Sequence, residues 1–271
     1  MNILQEIAQR TKERIEAQKK IHSFEKIREA ARSLNFVESA LCGLNNPFDF
    51  PFENALRGGD ISFICEVKKA SPSKGIIAEN FPYVEIAKDY EAAGAAAISV
   101  LTEPFWFKGS DDFLREIANE VKIPLLRKDF TVDSYMVYEA KILGASAVLL
   151  ICSILDKDTL TEYLEIAHSI GLSVLVETHD EEEVEMALAV GARIIGVNNR
   201  NLKTFEVDIT LSERLKKLVP PDVIFVSESG LSTAADIEKL REIGADAALV
   251  GESIMRSDDK KAAINMLRKK L

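Results

Sequence analysis

The chain has 271 residues, of which 47% are hydrophobic and 29% are charged, a composition typical of globular proteins. Its formal net charge of -10 and its isoelectric point near 5.0 disfavour nucleic acid and anionic membranes as main partners. No apolar run approaches the roughly 20 residues of a membrane span, and the charged N-terminus, "MNILQEIAQRTKERIEAQKK", is unlike a secretion signal. We expect a cytoplasmic protein that binds neither nucleic acid nor membrane.

Residues 1–60 precede the first predicted strand and differ in pattern from the rest of the chain. They contain amphipathic helical stretches and then a turn rich in Pro and Phe, "NNPFDFPF". The segment could be a plug over one end of the domain that follows, or a lid that contributes to its site. We predict an N-terminal helical extension at 1–60 that packs on a domain at 61–271, one domain overall.

Eight short apolar, β-branched runs follow residue 60 and predict strands. They lie at 61–67, 95–101, 123–129, 147–151, 173–177, 193–198, 223–228 and 247–251. Helical patterns such as "YVEIAKDYEAAG" separate them, and several end at a Gly-Ala pair typical of a helix C-terminus. Eight βα units predict α/β architecture with a parallel sheet closed into a single (β/α)8 TIM barrel. An open doubly wound sheet is the alternative, but no GxGxxG follows the first strand.

Three cysteines, Cys42, Cys65 and Cys152, lie far apart and show no CxxC spacing. This pattern predicts reduced thiols that mostly fill the core. We expect neither a disulfide nor a metal site.

Polar residues collect at the C-terminal ends of the predicted strands, where the active sites of such barrels lie. They are Glu66 and Lys68, Thr102 and Glu103, Lys128 and Asp129, Ser153, Glu177, Asn198 and Arg200, Glu228 and Ser229, and Gly251 and Glu252. Side chains alternate along a strand, so Glu66 and Lys68 should face the barrel interior, with Phe63, Cys65 and Val67 facing outward. The same alternation turns Lys128 and Glu177 inward.

A salt bridge that caps the core is the simpler explanation of any single pair among these charges. Two lysines, two glutamates and an arginine from four strand ends are harder to explain in that way. Burying them costs several kcal/mol unless they are paired or bind a ligand, and such clusters are where proteins tune pKa values. The pattern therefore favours a catalytic centre.

Two further motifs, "SESGLST" and "VGESIMRS", follow the seventh and eighth predicted strands. In many barrels the loops at these positions bind phosphate through free backbone amides and the N-terminus of a short helix. Gly230 and Gly251 would allow close approach of the backbone. An ordinary glycine turn is the alternative for either motif alone.

Other features are less informative about function. The three histidines, His22, His168 and His179, suit surface or structural positions better than catalysis, and only His179 lies near the site. Trp106 and Phe107 fit either a loop core or an aromatic wall for a ring substrate. The run Asp180–Glu183 is most simply the first turn of a helix, favoured by its dipole.

Together the motifs resemble the indole-3-glycerol phosphate synthase family over essentially the whole chain. They are "EVKKASPSKG", "LLRKDF", "LLICSIL", "LVETHD", "GVNNRNL", "SESGL" and "VGESIM". The resemblance implies that 1-(2-carboxyphenylamino)-1-deoxyribulose 5-phosphate closes to an indole ring with loss of CO2 and water, a step of tryptophan biosynthesis. It also implies that the reaction needs no metal and no organic cofactor.

The resemblance implies roles for individual residues as well. Lys128 would be the general acid that protonates the substrate carbonyl, and Glu177 the base that removes a proton as the ring aromatises. Lys68 and Glu66 would transfer protons near the sugar hydroxyls, and Arg200 would face the anthranilate carboxylate. The implied catalytic set is Glu66, Lys68, Lys128, Glu177, Asn198, Arg200 and Ser229. The implied substrate contacts are Ser71, Pro72, Phe107, Phe130, Glu228, Gly230, Gly251 and Ser253. The phosphate would be held by Ser229, Gly230, Gly251 and Ser253. The Ser71–Gly75 loop would be a mobile gate.

Other functions remain open at this point. The nearest alternatives are other phosphate-binding barrels, namely phosphoribosylanthranilate isomerase, the α chain of tryptophan synthase and a Schiff-base aldolase that uses Lys128. A catalytically inactive barrel that serves as a scaffold is the alternative from a different class. The sequence favours a monomer that acts on a small phosphorylated substrate, and it does not reveal association with other pathway enzymes.

Overall fold

Eight parallel strands close into a barrel in the computed structural model, which describes residues 3–42, 49–201 and 204–270, without the side chains of 35–42. The strands are β1 Ser62–Val67, β2 Ala97–Leu101, β3 Leu125–Lys128, β4 Ala147–Ile151, β5 Ser173–Thr178, β6 Ile194–Asn198, β7 Ile224–Glu228 and β8 Ala247–Val250. Neighbours in the chain are neighbours in the sheet, and β8 pairs with β1 to close it. The predicted (β/α)8 barrel is confirmed, and each predicted strand is present.

Helices surround the barrel and precede it. They are α1 Ile3–Ile21, α2 Phe24–Cys42, α3 Pro51–Leu56, α4 Tyr83–Ala92, α5 Asp111–Glu120, α6 Ser134–Ile142, α7 Lys157–Ser169, α8 Glu181–Ala189, α9 Thr210–Lys216, α10 Ala234–Glu242, α11 Glu252–Met255 and α12 Lys260–Arg268. Many begin at a side chain that accepts a hydrogen bond from the first turn, as Asp180 does from the backbone N–H of Glu183 at 2.9 Å. The predicted first turn at Asp180–Glu183 is thus confirmed.

Side-chain alternation in the strands produces two apolar layers. Phe63, Cys65 and Val67 of β1 lie in the outer layer, between the sheet and the helices. Ile64 of the same strand lies in the inner layer with Leu126 and other inward residues of the barrel. The predicted parity is therefore correct, and it turns Glu66 into the barrel one step above Ile64.

The N-terminal segment reaches both ends of the barrel. Ile7 of α1 lies at the end where the strands terminate, beside the cavity described below. Phe52 and Leu56 of α3 join the inner layer at the opposite end, where Ser62, the first residue of β1, donates a hydrogen bond to the carbonyl of Leu56 at 3.3 Å. Helix α1 thus lies at the end where a lid would lie, and α3 at the end where a plug would lie. Residues 43–48, which include part of the predicted turn, lie outside the described residues.

Two of the cysteines are buried free thiols. Burial raises the pKa of Cys65 to about 12, so its sulfur stays protonated and packs as a small apolar group. The side chain of Cys42 lies outside the described residues. None of the helices in the described ranges is long and apolar enough to cross a membrane.

Candidate active site

A cavity of about 440 Å³ opens at the C-terminal ends of the strands. Its size suits a substrate with one ring and a short phosphorylated chain, because pockets for such ligands begin at roughly 300 Å³. Every residue of the implied catalytic and substrate-contact sets lines it. These are Glu66, Lys68, Ser71, Pro72, Phe107, Lys128, Phe130, Glu177, Asn198, Arg200, Glu228, Ser229, Gly230, Gly251 and Ser253.

Lys128 lies at the centre of the polar part of the cavity. Its Nζ atom is 3.1 Å from Oε2 of Glu177 and 3.4 Å from Oε2 of Glu228. Both glutamates are almost fully buried, with 2% of each exposed. Lys68 forms a second ion pair, with Glu66 on the same strand face. Two lysines and three carboxylates therefore face one space, from the ends of the four strands β1, β3, β5 and β7.

Burial and charge act in opposite directions on this cluster. Burial alone would lower the pKa of Lys128, but the carboxylates of Glu177 and Glu228 outweigh it and raise that pKa above its ordinary value. Burial would likewise raise the pKa of Glu177, but Lys128 and then His179 lower it below the ordinary value. The site thus holds an ammonium acid beside an ionised carboxylate base.

Glu228 has the opposite shift from Glu177. Burial and the neighbouring charge of Glu177 raise its pKa to about 7, although Lys128 opposes them. Its Oε1 atom is buried without a hydrogen-bond partner among the described residues. That oxygen lies against Gly196 of β6, where any Cβ atom would collide with it. Glycine at this position therefore makes room for the carboxyl group.

Replacing Glu228 with glutamine is expected to stabilise the protein more near pH 8 than near pH 5. The pKa of Glu228 rises from 4.5 to about 7 on folding, so in this window the folded chain holds a proton that the unfolded chain has lost. Stability then falls as pH rises, by on the order of 3 kcal/mol for such a shift, and glutamine removes that dependence. Urea midpoints at both pH values, with the exposed Glu242→Gln as control, measure the difference. An equal difference in urea midpoint between Glu228→Gln and the wild type at both pH values would contradict this expectation.

Buried ion pairs fix the backbone on both sides of Lys128. Arg127 turns outward and binds Asp111 and Glu139, each at 2.7 Å. Asp129 binds Arg14 of α1 at 2.8 Å and accepts a hydrogen bond from Thr102 at 2.7 Å. Lys128 therefore projects into the cavity from a strand end that cannot easily twist. Sequence analysis missed Arg14, although the run Arg-Lys-Asp on a buried strand signals that each charge needs a partner.

An apolar wall covers one side of the cavity. The rings of Phe107 and Phe130 lie with their centroids 6.2 Å apart. Ile3, Leu4 and Ile7 of α1 complete this wall. Of the two interpretations of the aromatic pair, Phe107 fits the wall, whereas Trp106 borders a separate groove against α1. A lid that contributes to the site was one of the two interpretations of residues 1–60, but no residue of α1 was named, since an amphipathic pattern shows that a face is buried and not what it contacts.

Three residues at the strand ends do not reach the cavity. Thr102 faces outward and binds Asp129, and Ser153 is exposed in a short 3-10 turn after β4. Glu103 folds back and accepts hydrogen bonds from the backbone N–H groups of Phe105, Trp106 and Phe107, at 2.8, 2.7 and 3.0 Å. Its carboxylate thereby shapes the loop that presents Phe107 to the cavity.

The opposite side of the cavity is formed by the loops after β7 and β8. A Cβ atom on Gly251 would lie 2.5 Å from Oε1 of Glu66, so the backbone passes directly over the Glu66 carboxylate. Asn199 holds the β7 loop through its side-chain amide, which donates to the carbonyls of Glu228 and Ser229 at 3.0 and 3.1 Å. Ser253 donates to the carbonyl of Leu231 at 3.1 Å and so joins the two loops.

Cations gather around Glu252 at this side. Lys74, Arg200 and Arg256 lie 3.6, 3.8 and 3.3 Å from its carboxylate. The Ser71–Gly75 loop, which carries Lys74, is braced by antiparallel pairing of Ser71 with Gly75. The net charge of the chain is negative, but the mouth of the cavity offers local positive charge for an anion.

The fold and the cavity define an acid–base enzyme of the (β/α)8-barrel class. Solved structures agree on the fold. The 3-hexulose-6-phosphate synthase from Salmonella typhimurium matches with a TM-score of 0.63 and 15% identity, over 76% of this chain and 96% of that chain. The thiamine phosphate pyrophosphorylase from Pyrococcus furiosus matches with a TM-score of 0.57 and 18% identity, over 79% and 96%.

Sequence relatives narrow this class to one family. The family model described as indole-3-glycerol phosphate synthase matches residues 4–267. The indole-3-glycerol phosphate synthase of Ruminiclostridium cellulolyticum is 59% identical, and that of Lachnoclostridium phytofermentans is 49% identical, each over 98% of both chains. The chain therefore belongs to the indole-3-glycerol phosphate synthase family, carboxy-lyases of tryptophan biosynthesis, as its motifs predict.

Proposed function

We propose that the Lys128 cluster closes, decarboxylates and dehydrates 1-(2-carboxyphenylamino)-1-deoxyribulose 5-phosphate to give indole-3-glycerol phosphate. The observation that carries the proposal is the ammonium of Lys128 between the buried carboxylates of Glu177 and Glu228, at 3.1 and 3.4 Å. This acid–base group lies between an apolar wall and a cationic mouth in one cavity. The substrate has the same order of parts: an aromatic ring, a reacting ketone and a phosphate.

The two sides of the cavity support one orientation of the substrate. The aromatic ring packs against Phe107 and Phe130, where burial of its faces is favourable. The phosphate binds at the β7 and β8 loops, with Ser229, Gly230, Gly251 and Ser253. Arg200 binds the anthranilate carboxylate with its planar guanidinium fork, and Asn198 orients the substrate beside it. Ser71 and Pro72 cover the ring from the β1 loop.

Proton transfer then proceeds in two stages. Lys128 gives a proton to the ketone oxygen as the aryl carbon attacks the carbonyl carbon. Release of CO2 returns the bonding electrons to the ring. Lys68 then protonates the departing hydroxyl, which leaves as water, while Glu177 removes the proton whose loss makes the new ring aromatic. Glu66 positions Lys68, and Glu228 balances the charge of Lys128.

The charges around Lys128 argue against a Schiff-base aldolase. A lysine that attacks a carbonyl must lose its proton, so such lysines have lowered pKa values. The carboxylates of Glu177 and Glu228 instead raise the pKa of Lys128, after outweighing its burial. Treatment with borohydride and the ketone substrate is therefore expected to leave Lys128 unlabelled.

We further propose that the protein works in the cytoplasm as a monomer, without a metal or organic cofactor.

One assay, which follows indole fluorescence, tests both the activity and the monomer. Protein from the monomeric fraction of a size-exclusion column, in buffer with a chelator, is expected to turn over the carboxyphenylamino-deoxyribulose phosphate with a rise in indole emission. No emission from folded protein would contradict the activity. Emission confined to a larger species would contradict the monomer alone.

A further inference from the structure

The buried base Glu177 is contacted from two opposite directions. Inside the cavity, its Oε2 atom faces Lys128 at 3.1 Å. From outside the cavity wall, Nε2 of His179 lies 3.5 Å from the other carboxylate oxygen, Oε1. His179 does not line the cavity. The imidazole therefore reaches Glu177 by a route that bound substrate would leave open.

Local structure fixes the imidazole at this place. Glu183, in the first turn of α8, accepts the backbone N–H of His179 at 2.8 Å, and the same oxygen lies 3.2 Å from Nδ1 of the ring. The other ring nitrogen, Nε2, is buried and has no hydrogen-bond partner within the described part of the chain. His179 and Glu183 have 18% and 15% of their side chains exposed, against 2% for Glu177. His179 and Glu183 are thus both more exposed to solvent than the buried base that His179 contacts.

The groups that face His179 come from three elements. They are Glu177 of β5, Glu183 of α8 and Glu228 of β7. Burial would lower the pKa of His179, but these carboxylates outweigh it and raise that pKa above 6.5. Lys128 lies on the far side of Glu177. The imidazole can therefore take up and give up a proton near neutral pH.

The proposed reaction requires proton entry. A carboxylate leaves as neutral CO2, so each turnover consumes one proton. In terms of the residues, Lys128 and Lys68 each donate one proton, and Glu177 recovers only one. The missing proton must come from solvent, yet the substrate fills the mouth of the cavity.

We propose that His179 and Glu183 carry protons between solvent and Glu177 while the cavity is occupied. The proposal rests on the roles assigned above to Lys128 and Glu177. The ring accepts a proton at Nδ1 from the side of Glu183 and releases one from Nε2 to Oε1 of Glu177, which passes a proton on to Lys128. The proton that Glu177 then takes from the substrate offsets the one that Lys68 loses, and both residues regain their starting states by exchange with solvent after product release. Loss of the Nδ1 proton and uptake of one at Nε2, by exchange with solvent, restore the starting tautomer. His179 acts through Glu177 and does not touch the substrate.

The test compares His179→Gln with His22→Gln, an exposed histidine far from the site. We expect kcat of His179→Gln to fall about 10²-fold, at the lower end of the range for a lost proton-transfer group, with KM little changed. Added imidazole should restore part of kcat, and the solvent deuterium isotope effect on kcat should increase. His22→Gln should match the wild type in each measurement.

Two results would overturn the relay while leaving the synthase activity intact. One is an active wild type with an unchanged kcat in His179→Gln. The other is a lower kcat with a raised KM, no rescue by imidazole and an unchanged isotope effect, which indicates a structural role. If His179→Gln does not fold, Glu183→Gln is measured in its place, because its amide oxygen can still accept the backbone N–H of His179. An unchanged kcat in Glu183→Gln would also overturn the relay. An inactive wild type contradicts the proposed function itself.

Discussion

Replacing Lys128 with methionine is expected to lower kcat by about 10⁴-fold or more, the upper end of the range for one acid–base group. The variant loses the proposed acid for the ketone, and it also weakens Glu177, the proposed base. Without the ammonium at 3.1 and 3.4 Å, the carboxylates of Glu177 and Glu228 face each other across the cavity. Their pKa values then rise, and a proton bound to Glu177 blocks it as a base.

The measurement is turnover followed by indole fluorescence, together with a urea unfolding curve. Removing one partner of a buried ion pair costs roughly 3–5 kcal/mol, and protonation of a carboxylate reduces that cost. Lys122→Met, at an exposed position before β3, serves as the control and should keep full activity. A folded Lys128→Met variant with kcat within about tenfold of the wild type would contradict Lys128 as the general acid.

The inward charges could be predicted from the sequence because a local rule determines them. Within β1, β3 and β5, side chains alternate between the two faces of the sheet, so the position of one apolar residue fixes the face of the next charge. Glu66 follows Ile64, Lys128 follows Leu126 and Glu177 follows Leu175 on the inner face. Closure into a barrel then brings these strand ends together.

The rule fails where the strand ends. Glu103 would face inward by alternation from Leu101, but β2 ends at Leu101 and the chain turns sharply. The side chain of Glu103 instead accepts the N–H groups of its own loop. Arg200 also lies beyond its strand, and it reaches the cavity because it pairs with Val207 across the β6 loop. Both outcomes depend on loop conformation, which periodicity does not encode.

Long-range partners are the other part that the sequence hides. Arg14 and Asp129 are 115 residues apart, and although the buried Asp129 calls for a cationic partner, nothing in the sequence identifies Arg14 as that partner. The opposite pKa shifts of Glu177 and Glu228 have the same origin. The two residues are chemically identical and both lie at the C-terminal end of a strand. His179 contacts Glu177 at 3.5 Å and helps to lower its pKa, whereas the charges of Glu177 and Glu66 help to raise the pKa of Glu228. Such differences follow from distances that exist only in the folded chain.

Replacing Glu177 with glutamine is expected to lower kcat by roughly 10²–10⁴-fold, the range for a lost general base. Lys128 and His179 outweigh burial and hold the pKa of Glu177 below 4.5, so the wild-type carboxylate is ionised throughout the neutral range. Glutamine keeps the shape but cannot accept the proton whose loss makes the ring aromatic. The first stage, ring closure at Lys128, does not need this base.

Single-turnover measurements distinguish this base from a residue that only holds the site together. In Glu177→Gln, CO2 release should stay fast while indole fluorescence lags behind it, because the reaction halts before the proton that Glu177 removes can leave. Glu185→Gln, exposed on α8, should show neither effect. If CO2 release and fluorescence slow together and equally, Glu177 serves ring closure by positioning Lys128 at 3.1 Å instead. The base for the final step would then be Glu66, the carboxylate that is paired with Lys68, the proposed acid of the same step.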